Sequence, residues 1–416
     1  MEGEMRGSRT EYIHWIQDVP DQKQIVAQYC RYSAELKTGK NIKQMVNRAL
    51  QFAQSDPAGP VYLCAAREVM EEDLTPYKLD QEHWRPVEPA ALAEGQVKTI
   101  AEALVGAKEP LVIVGYTGRN HASVPALVEL ADTVKGLRVL DTGGSDMCFP
   151  ADHRAWLGHR YGIEKSILSA DVILVIDCGK FQGSLGDSVL NNIDVPWIYT
   201  QCHPSKDAKV FHVDVDPMKN QMPLFYIAAQ ARYRADSYTA TTQLTKYISS
   251  ALSSQLTAEI YSQRWEALAA AHAQRLAAIA EAAKPKADGT FGSGYLCQTL
   301  RKIVPQDSIF AIEAVTTTAF VADNIQATLP GSWINCGGGG LGWSGGGSLG
   351  IKLASESENP GKGKFVVQIV GDGTYLFSVP GSVYWISQRY KIPILTIVLN
   401  NKGEDLQITP GNTNIE

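Results

Sequence analysis

The sequence has no apolar run of membrane-spanning length, no C-x-x-C pair, no basic block, and no i,i+4 histidine pair beside a carboxylate. Each absence removes a class of function. A bilayer-crossing helix needs about twenty apolar residues in a row. Lys and Arg total 38 against 44 Asp and Glu, a net charge of −6, so nothing points to nucleic acid or to an anionic membrane surface. Seven cysteines (Cys30, Cys64, Cys148, Cys178, Cys202, Cys297, Cys336) are an odd, unpatterned set that reads as reduced, intracellular thiols. His153, His159, His203 and His212 are irregularly spaced, and Cys202-His203 has no partner pair, so no zinc site is expected. Met1-Glu2-Gly3-Glu4-Met5-Arg6-Gly7 lacks an apolar signal core and is too acidic for a transit peptide. The cytoplasm is the expected compartment, with mitochondria the alternative if a presequence lies upstream.

What is present is ordinary globular material. The 416 residues suggest two or three domains, and 44% hydrophobic content is enough to fill real cores. Asn41–Ser55 carries a helical stripe with Asn41 as a candidate N-cap, and Pro57-Ala58-Gly59-Pro60 marks a turn before the short strand Val61–Ala65. Pro86 and Pro89 mark a linker. Strands are expected at Pro110–Gly115, Leu137–Leu140, Val172–Asp177 and Val210–Pro217, the last closing its set. They alternate with helices at Val97–Val105 and Val124–Val134, the pattern of a parallel α/β layer. Leu268, Ala271, Leu276 and Ile279 give Leu256–Ala283 an apolar stripe, and Lys284–Thr290 breaks the helix.

The most informative stretch lies near the end. Phe365–Val370 is a strand-length apolar run that stops at Gly371-Asp372-Gly373. A helix over Gly381–Tyr390 follows, then a second apolar strand, Pro393–Leu399, ending at Asn400-Asn401. Strand, helix and strand make a βαβ unit with parallel strands. Ligands of open parallel sheets gather at the strands' carboxyl ends, so Asp372 and Asn401 fall on one edge. A carboxylate, an amide carbonyl, diphosphate oxygens and water suit an octahedral Mg²⁺.

Gly371-Asp372-Gly373, the 26 residues Thr374–Leu399 and then Asn400-Asn401 resemble the cofactor motif of thiamine-diphosphate enzymes acting on 2-oxo acids, of the acetolactate synthase and benzoylformate decarboxylase type. The resemblance implies an α/β fold of doubly wound parallel-sheet domains. Residues 1–86 would be the C-terminal part of a pyrimidine-binding domain, 87–255 a central α/β domain, 256–290 a connecting helix and linker, and 291–416 the diphosphate-binding domain, incomplete at its C-terminus. His14–Gln22, the helix-turn-strand over residues 41–65 and Val213-Asp214-Val215-Asp216-Pro217 resemble landmarks of the first two.

For the site, the resemblance implies Mg²⁺ held by Asp372, Asn401 and the carbonyl of Gly403. Gly371, Gly373 and Thr374 would line the diphosphate. Glu313-Ala314-Val315-Thr316 resembles the family's Glu-x-x-[Ser/Thr] stretch, which puts Thr316 and Glu313 on the same edge; the threonines also read as a helix N-cap. Asn335–Gly347 resembles the G-G-L-G-[FW] segment. There the carbonyl of Gly339 would accept from the cofactor's 4′-amino group, and Leu341 would wedge beneath the bent cofactor. Gly345-Gly346-Gly347 departs from the Ala or Pro usual in relatives, which implies a looser helix. Gly115-Tyr116-Thr117-Gly118 is not G-x-G-x-x-G, so a structural turn is favoured there over FAD, which some relatives carry.

The family's activating Glu belongs upstream. Glu2, Glu4 and Glu11 fall too late for it, and Glu68, Glu71 and Glu72 read as solvated charge, so no catalytic residue is assigned. The polar stretch from Glu404 to Glu416, after Asn400-Asn401-Lys402-Gly403, departs from the family's covering helix. The expectation is a chain cut at both ends: a lyase or carboligase, or a non-catalytic or truncated homologue. Its partners would be a 2-oxo acid and a second copy or a full-length homologue, in a homodimer or homotetramer, without nucleic acid or membrane.

Overall fold

The computed structural model describes residues 21–159, 165–178, 204–219, 228–336 and 340–401. The chain divides into two units, Met1–Ala90 and Ala91–Glu416. In the first, helices α1 (Gln24–Ala27), α2 (Ile42–Gln54) and α3 (Arg67–Met70) accompany strands β1 (Tyr32–Leu36) and β2 (Val61–Ala65). The helix and strand expected at 41–65 are found. Asn41 stands at the N-cap of α2 but makes no side-chain cap bond. β1 was not foreseen; it pairs in parallel with β2, Tyr32 opposite Val61. Glu72 departs from the solvated charge expected of it. Its carboxylate accepts from the Gly39 amide at 2.5 Å and from the Thr38 hydroxyl at 2.9 Å, and those bonds hold it below the ordinary glutamate value.

The second unit opens with a six-stranded sheet: β3 (Pro110–Val114), β4 (Arg138–Asp141), β5 (Trp156–His159), β6 (Val172–Ile176), β7 (Lys209–Asp214) and β8 (Ala231–Arg234). All neighbours are parallel, in the order β5-β4-β3-β6-β7-β8. The chain therefore winds out one way from β3 and then the other, the doubly wound pattern. Strand alternation fills two cores. Val112, Val114, Leu174 and Ile176 face one layer, with α4 (Glu94–Gly106), α5 (Ser123–Val134) and α7 (Ser237–Ala251). Leu111, Ile113, Ile173 and Val175 face the other, with α6 (Lys165–Ser169). The sequence expectation closed this set at β7, but β8 lies beyond it.

Helix α8 (Glu259–Ala282) lays Leu268, Leu276 and Ile279 on the first of these cores, as its stripe implied. Its polar residues hold that packing: the Tyr261 hydroxyl donates to the Val105 carbonyl at 2.6 Å and Arg275 to the Leu157 carbonyl at 2.7 Å.

The second sheet has the order β10-β9-β11-β12, all parallel: β9 (Ile309–Glu313), β10 (Trp333–Asn335), β11 (Val366–Gly371) and β12 (Leu395–Leu399). On one face Phe310, Ile312, Val367 and Ile369 pack with Cys297 and Leu300 of α9 (Ser293–Ile303) and Val321 and Ile325 of α10 (Thr318–Ile325). The other face meets α11 (Trp343–Glu358), which packs on α13 (Pro380–Tyr390) through Leu349 and Val383. Between them lies α12 (Asp372–Phe377), a short helix not read from the sequence. Val379, at φ +52°, separates it from α13.

The glycine turn after β3 is filled by its own neighbours. A Cβ on Gly118 would stand 2.2 Å from the Met147 carbonyl oxygen, and one on Gly115 2.7 Å from the Thr142 hydroxyl. These glycines are explained by close packing against the loop after β4, in line with a structural turn.

Candidate functional site

The carboxyl ends of β9, β11 and β12 lie side by side, because Val370 pairs with Glu313 and Gly371 with Leu399. The chain therefore delivers Glu313–Thr318, Gly371–Thr374 and Asn400-Asn401 to one edge. Apolar runs bring the strands there, and each run ends where residues able to bind a polar ligand begin.

Asp372 is the first residue of α12 and half-buried; Gly373 is exposed and Thr374 buried. Asn400 and Asn401 are exposed just past the last pair of the β11–β12 ladder. Among the described residues no group of three or more His, Cys, Asp and Glu side chains is placed to hold a metal ion. One carboxylate and one amide carbonyl fit a hard cation that takes its other ligands from phosphate and water, which is Mg²⁺ behaviour. Gly339 and Gly403 lie outside the described residues.

Thr316 is exposed on a single 3₁₀ turn, Val315–Thr317, that begins at positive φ and leads into α10. Thr317 does not cap that helix; its hydroxyl donates to the Ala314 carbonyl at 3.0 Å. Leu341 is 38% exposed and Trp343 37%, so both present apolar surface at the start of α11.

Glu313 is placed differently from its expected role beside the cofactor. It is fully buried, and its carboxylate accepts from the amides of Gly342 (2.9 Å), Trp343 (3.2 Å) and Ser344 (2.7 Å). These are donors at the N-terminus of α11, which otherwise lack partners within the helix. Gly342, the N-cap, sits at φ +105°, and a Cβ there would stand 2.6 Å from the Phe377 carbonyl oxygen. The glycine run leaves α11 regular and lets it close on its neighbours: a Cβ on Gly345 would meet Ser378 and Val383, and one on Gly347 the Trp343 ring.

Sequence reasoning missed two buried members of this edge. Gln368 Nε2 donates to the Ser344 hydroxyl at 2.8 Å, and its Oε1 accepts from the Thr396 hydroxyl at 2.9 Å. A glutamine inside an otherwise apolar strand run was the available signal for the first; nothing local marked Ser344.

Residues 314–407 match the family described as thiamine pyrophosphate enzyme, C-terminal TPP binding domain. The chain is 25% identical over 386 residues to the acetolactate synthase isozyme 3 large subunit of Escherichia coli, covering 89% of this chain and 61% of that protein. It is 23% identical over 391 residues to benzoylformate decarboxylase of Pseudomonas aeruginosa, covering 92% and 65%. The chain thus spans less than two thirds of the length of these relatives. Among solved structures, benzoylformate decarboxylase of Polynucleobacter necessarius superposes with a TM-score of 0.72 at 18% identity, over 97% of this chain and 71% of that one.

Proposed function

We propose that this chain, a relative of thiamine-diphosphate enzymes, holds thiamine diphosphate and Mg²⁺ at the carboxyl edge of β9, β11 and β12 and serves decarboxylation or carboligation of a 2-oxo acid. The observation that carries the reading is the in-register pairing of β11 with β12, which sets Asp372 and Asn400-Asn401 on one edge. Asp372 and Asn401, with the Gly403 carbonyl, hold the cation. Thr316, Gly371, Gly373 and Thr374 line the diphosphate. Leu341 supports the ring end, where the Gly339 carbonyl accepts from the 4′-amino group. When bound, the cofactor would supply a nucleophilic ring carbon and an electron sink for 2-oxo-acid chemistry. The protein's share is to hold diphosphate and cation, fix the bend and keep the ring end against an apolar wall.

A second reading is binding without turnover by this chain alone. It is favoured by the commitment of Glu72 to Thr38 and Gly39, which ties that carboxylate to the loop before α2. The activating Glu is then supplied in trans by a full-length homologue in a dimer or tetramer. The compartment proposed is the cytoplasm, and no flavin is assigned.

Calorimetric titration of thiamine diphosphate with and without Mg²⁺ tests the site. Magnesium-dependent binding is expected, and no binding by a protein that melts cooperatively overturns the assignment. CO₂ release from pyruvate and benzoylformate then separates turnover from binding alone.

A further inference from the structure

A continuous buried polar chain underlies the candidate site. It begins at Glu313 on β9, passes to the first turn of α11 through the amides of Gly342, Trp343 and Ser344, and continues from the Ser344 hydroxyl to Gln368 on β11. From Gln368 it reaches Thr396 on β12. Glu313 and Ser344 are wholly buried, and Gln368 is 1% exposed. The Ser344 carbonyl accepts in turn from the Ser348 hydroxyl. Every link lies on the α11 face of the sheet, since Glu313, Gln368 and Thr396 alternate with the residues facing α9 and α10.

Such a chain is costly to bury and strongly directional once satisfied. It joins two parts of the proposed site that are distant in sequence: the segment Gly340-Leu341-Gly342, and the strands that carry Asp372 and Asn400-Asn401. Gly342 has no side chain and lies in the left-handed region, so α11 cannot cap itself there. The cap comes from a residue 29 positions earlier. With their donors directed at Glu313, these amides are not available to a phosphate. Glu313 therefore serves the ring end of the site rather than its anionic end.

We infer that Glu313 and Gln368 are positioning residues: through the buried chain to Ser344 they fix the start of α11, and with it Leu341, relative to the strand ends that carry Asp372 and Asn401. The inference rests on the thiamine-diphosphate reading for what Leu341 supports, but the positioning itself is observable without any ligand. Glu313→Gln turns one oxygen into an NH₂ group that confronts a backbone donor. Gln368→Met keeps approximate volume and removes both of its side-chain hydrogen bonds.

Hydrogen–deuterium exchange of the ligand-free protein reads the first half. Glu313→Gln is expected to speed exchange over residues 342–344 by about tenfold, the cost of unpairing buried donors. Gln368→Met is expected to do so less, with α13 and the six-stranded sheet unaffected. Titration with thiamine diphosphate and with inorganic diphosphate, both with Mg²⁺, reads the second half. Both variants are expected to weaken thiamine diphosphate by about tenfold while leaving inorganic diphosphate unchanged. A merely structural role would weaken both ligands together; that result, or unchanged exchange at residues 342–344, overturns the inference. If the unsubstituted protein binds no thiamine diphosphate, the functional reading fails, and exchange alone decides the positioning role. If Glu313→Gln does not fold, Gln368→Met carries both readouts.

Discussion

The side-chain amide of Asn335 donates to the carbonyl of Gly143 at 3.0 Å, linking the end of β10 to the loop after β4. The backbone repeats that link: the Asn335 amide donates to the Ser145 carbonyl at 2.8 Å and the Met147 amide to the Trp333 carbonyl at 3.1 Å. The two sheets of the second unit thus share a hydrogen-bonded seam. Asn335→Leu leaves the buried Gly143 carbonyl without this donor and is expected to destabilise the protein by about 1–3 kcal/mol. A lower urea midpoint with an unchanged m-value is the expected reading; an unchanged midpoint refutes the seam's contribution.

Asp372→Ala removes the only carboxylate in the donor set proposed for the cation. Thiamine diphosphate binding is expected to lose its dependence on Mg²⁺ and to fall below detection by calorimetry. Binding that keeps its magnesium dependence in this variant would sink the metal assignment.

The glycine run of α11 gives opposite expectations at adjacent positions. A Cβ at Gly346 meets nothing within 4 Å, whereas one at Gly345 stands 2.9 Å from the Ser378 Cβ and 3.0 Å from Val383. Gly346→Ala is expected to stabilise by about 0.5–1 kcal/mol through helix propensity alone. Gly345→Ala is expected to destabilise by about 1–3 kcal/mol, because α11 must move off α12 and α13. Thermal melts of the pair should shift in opposite directions.

Two buried acids give pH signatures. Burial pushes the Cys297 thiol up to about 11. Its folded value exceeds the unfolded one, so its contribution is complete below 9.0 and is lost as pH rises toward 11. At neutral pH Cys297 should alkylate far more slowly than the half-buried Cys30 and Cys64, which peptide mapping after iodoacetamide will measure.

At Asp214, burial works to raise the carboxyl. The His212 imidazole, 3.6 Å away, and the Lys219 ammonium, 2.7 Å away, outweigh it and hold the group below 3.8. Its contribution is therefore present above that value and lost as pH falls through the lower folded one. Asp214→Asn should be less stable than the unsubstituted protein at neutral pH, and the gap should narrow in strong acid. A gap independent of pH would show that the charge is not what matters.

Much of this architecture was legible because strands buried on both faces read as runs that are apolar almost throughout. Pro110–Val114, Val172–Ile176, Ile309–Glu313 and Val366–Gly371 are of that kind. The strands missed lack the pattern. β8 is Ala-Arg-Tyr-Arg on a sheet edge, β10 has three residues, and β5 breaks its run with Gly158 and His159. Helix α7 is rich in Thr, Ser and Tyr, weak helix formers, and is held by packing on α4 and α5. In the site, the strand-end motifs were visible because each closes an apolar run and their order and spacing resemble a known cofactor motif. The cap that Glu313 places on α11 was not, since it joins residues 29 apart through a fold that sequence periodicity does not encode.

The pairing of β11 with β12 also fixes where this part of the chain tolerates changes in length. Side chains alternate along a strand, and each residue advances it by about 3.3 Å. Deleting one residue within Leu395–Leu399 would draw Asn401 back by that distance and turn it to the opposite face, away from Asp372. An insertion in the turn between α13 and β12 leaves the ladder where it is. Length variation is thus absorbed by the crossover, while the two strands accept substitutions but not insertions or deletions.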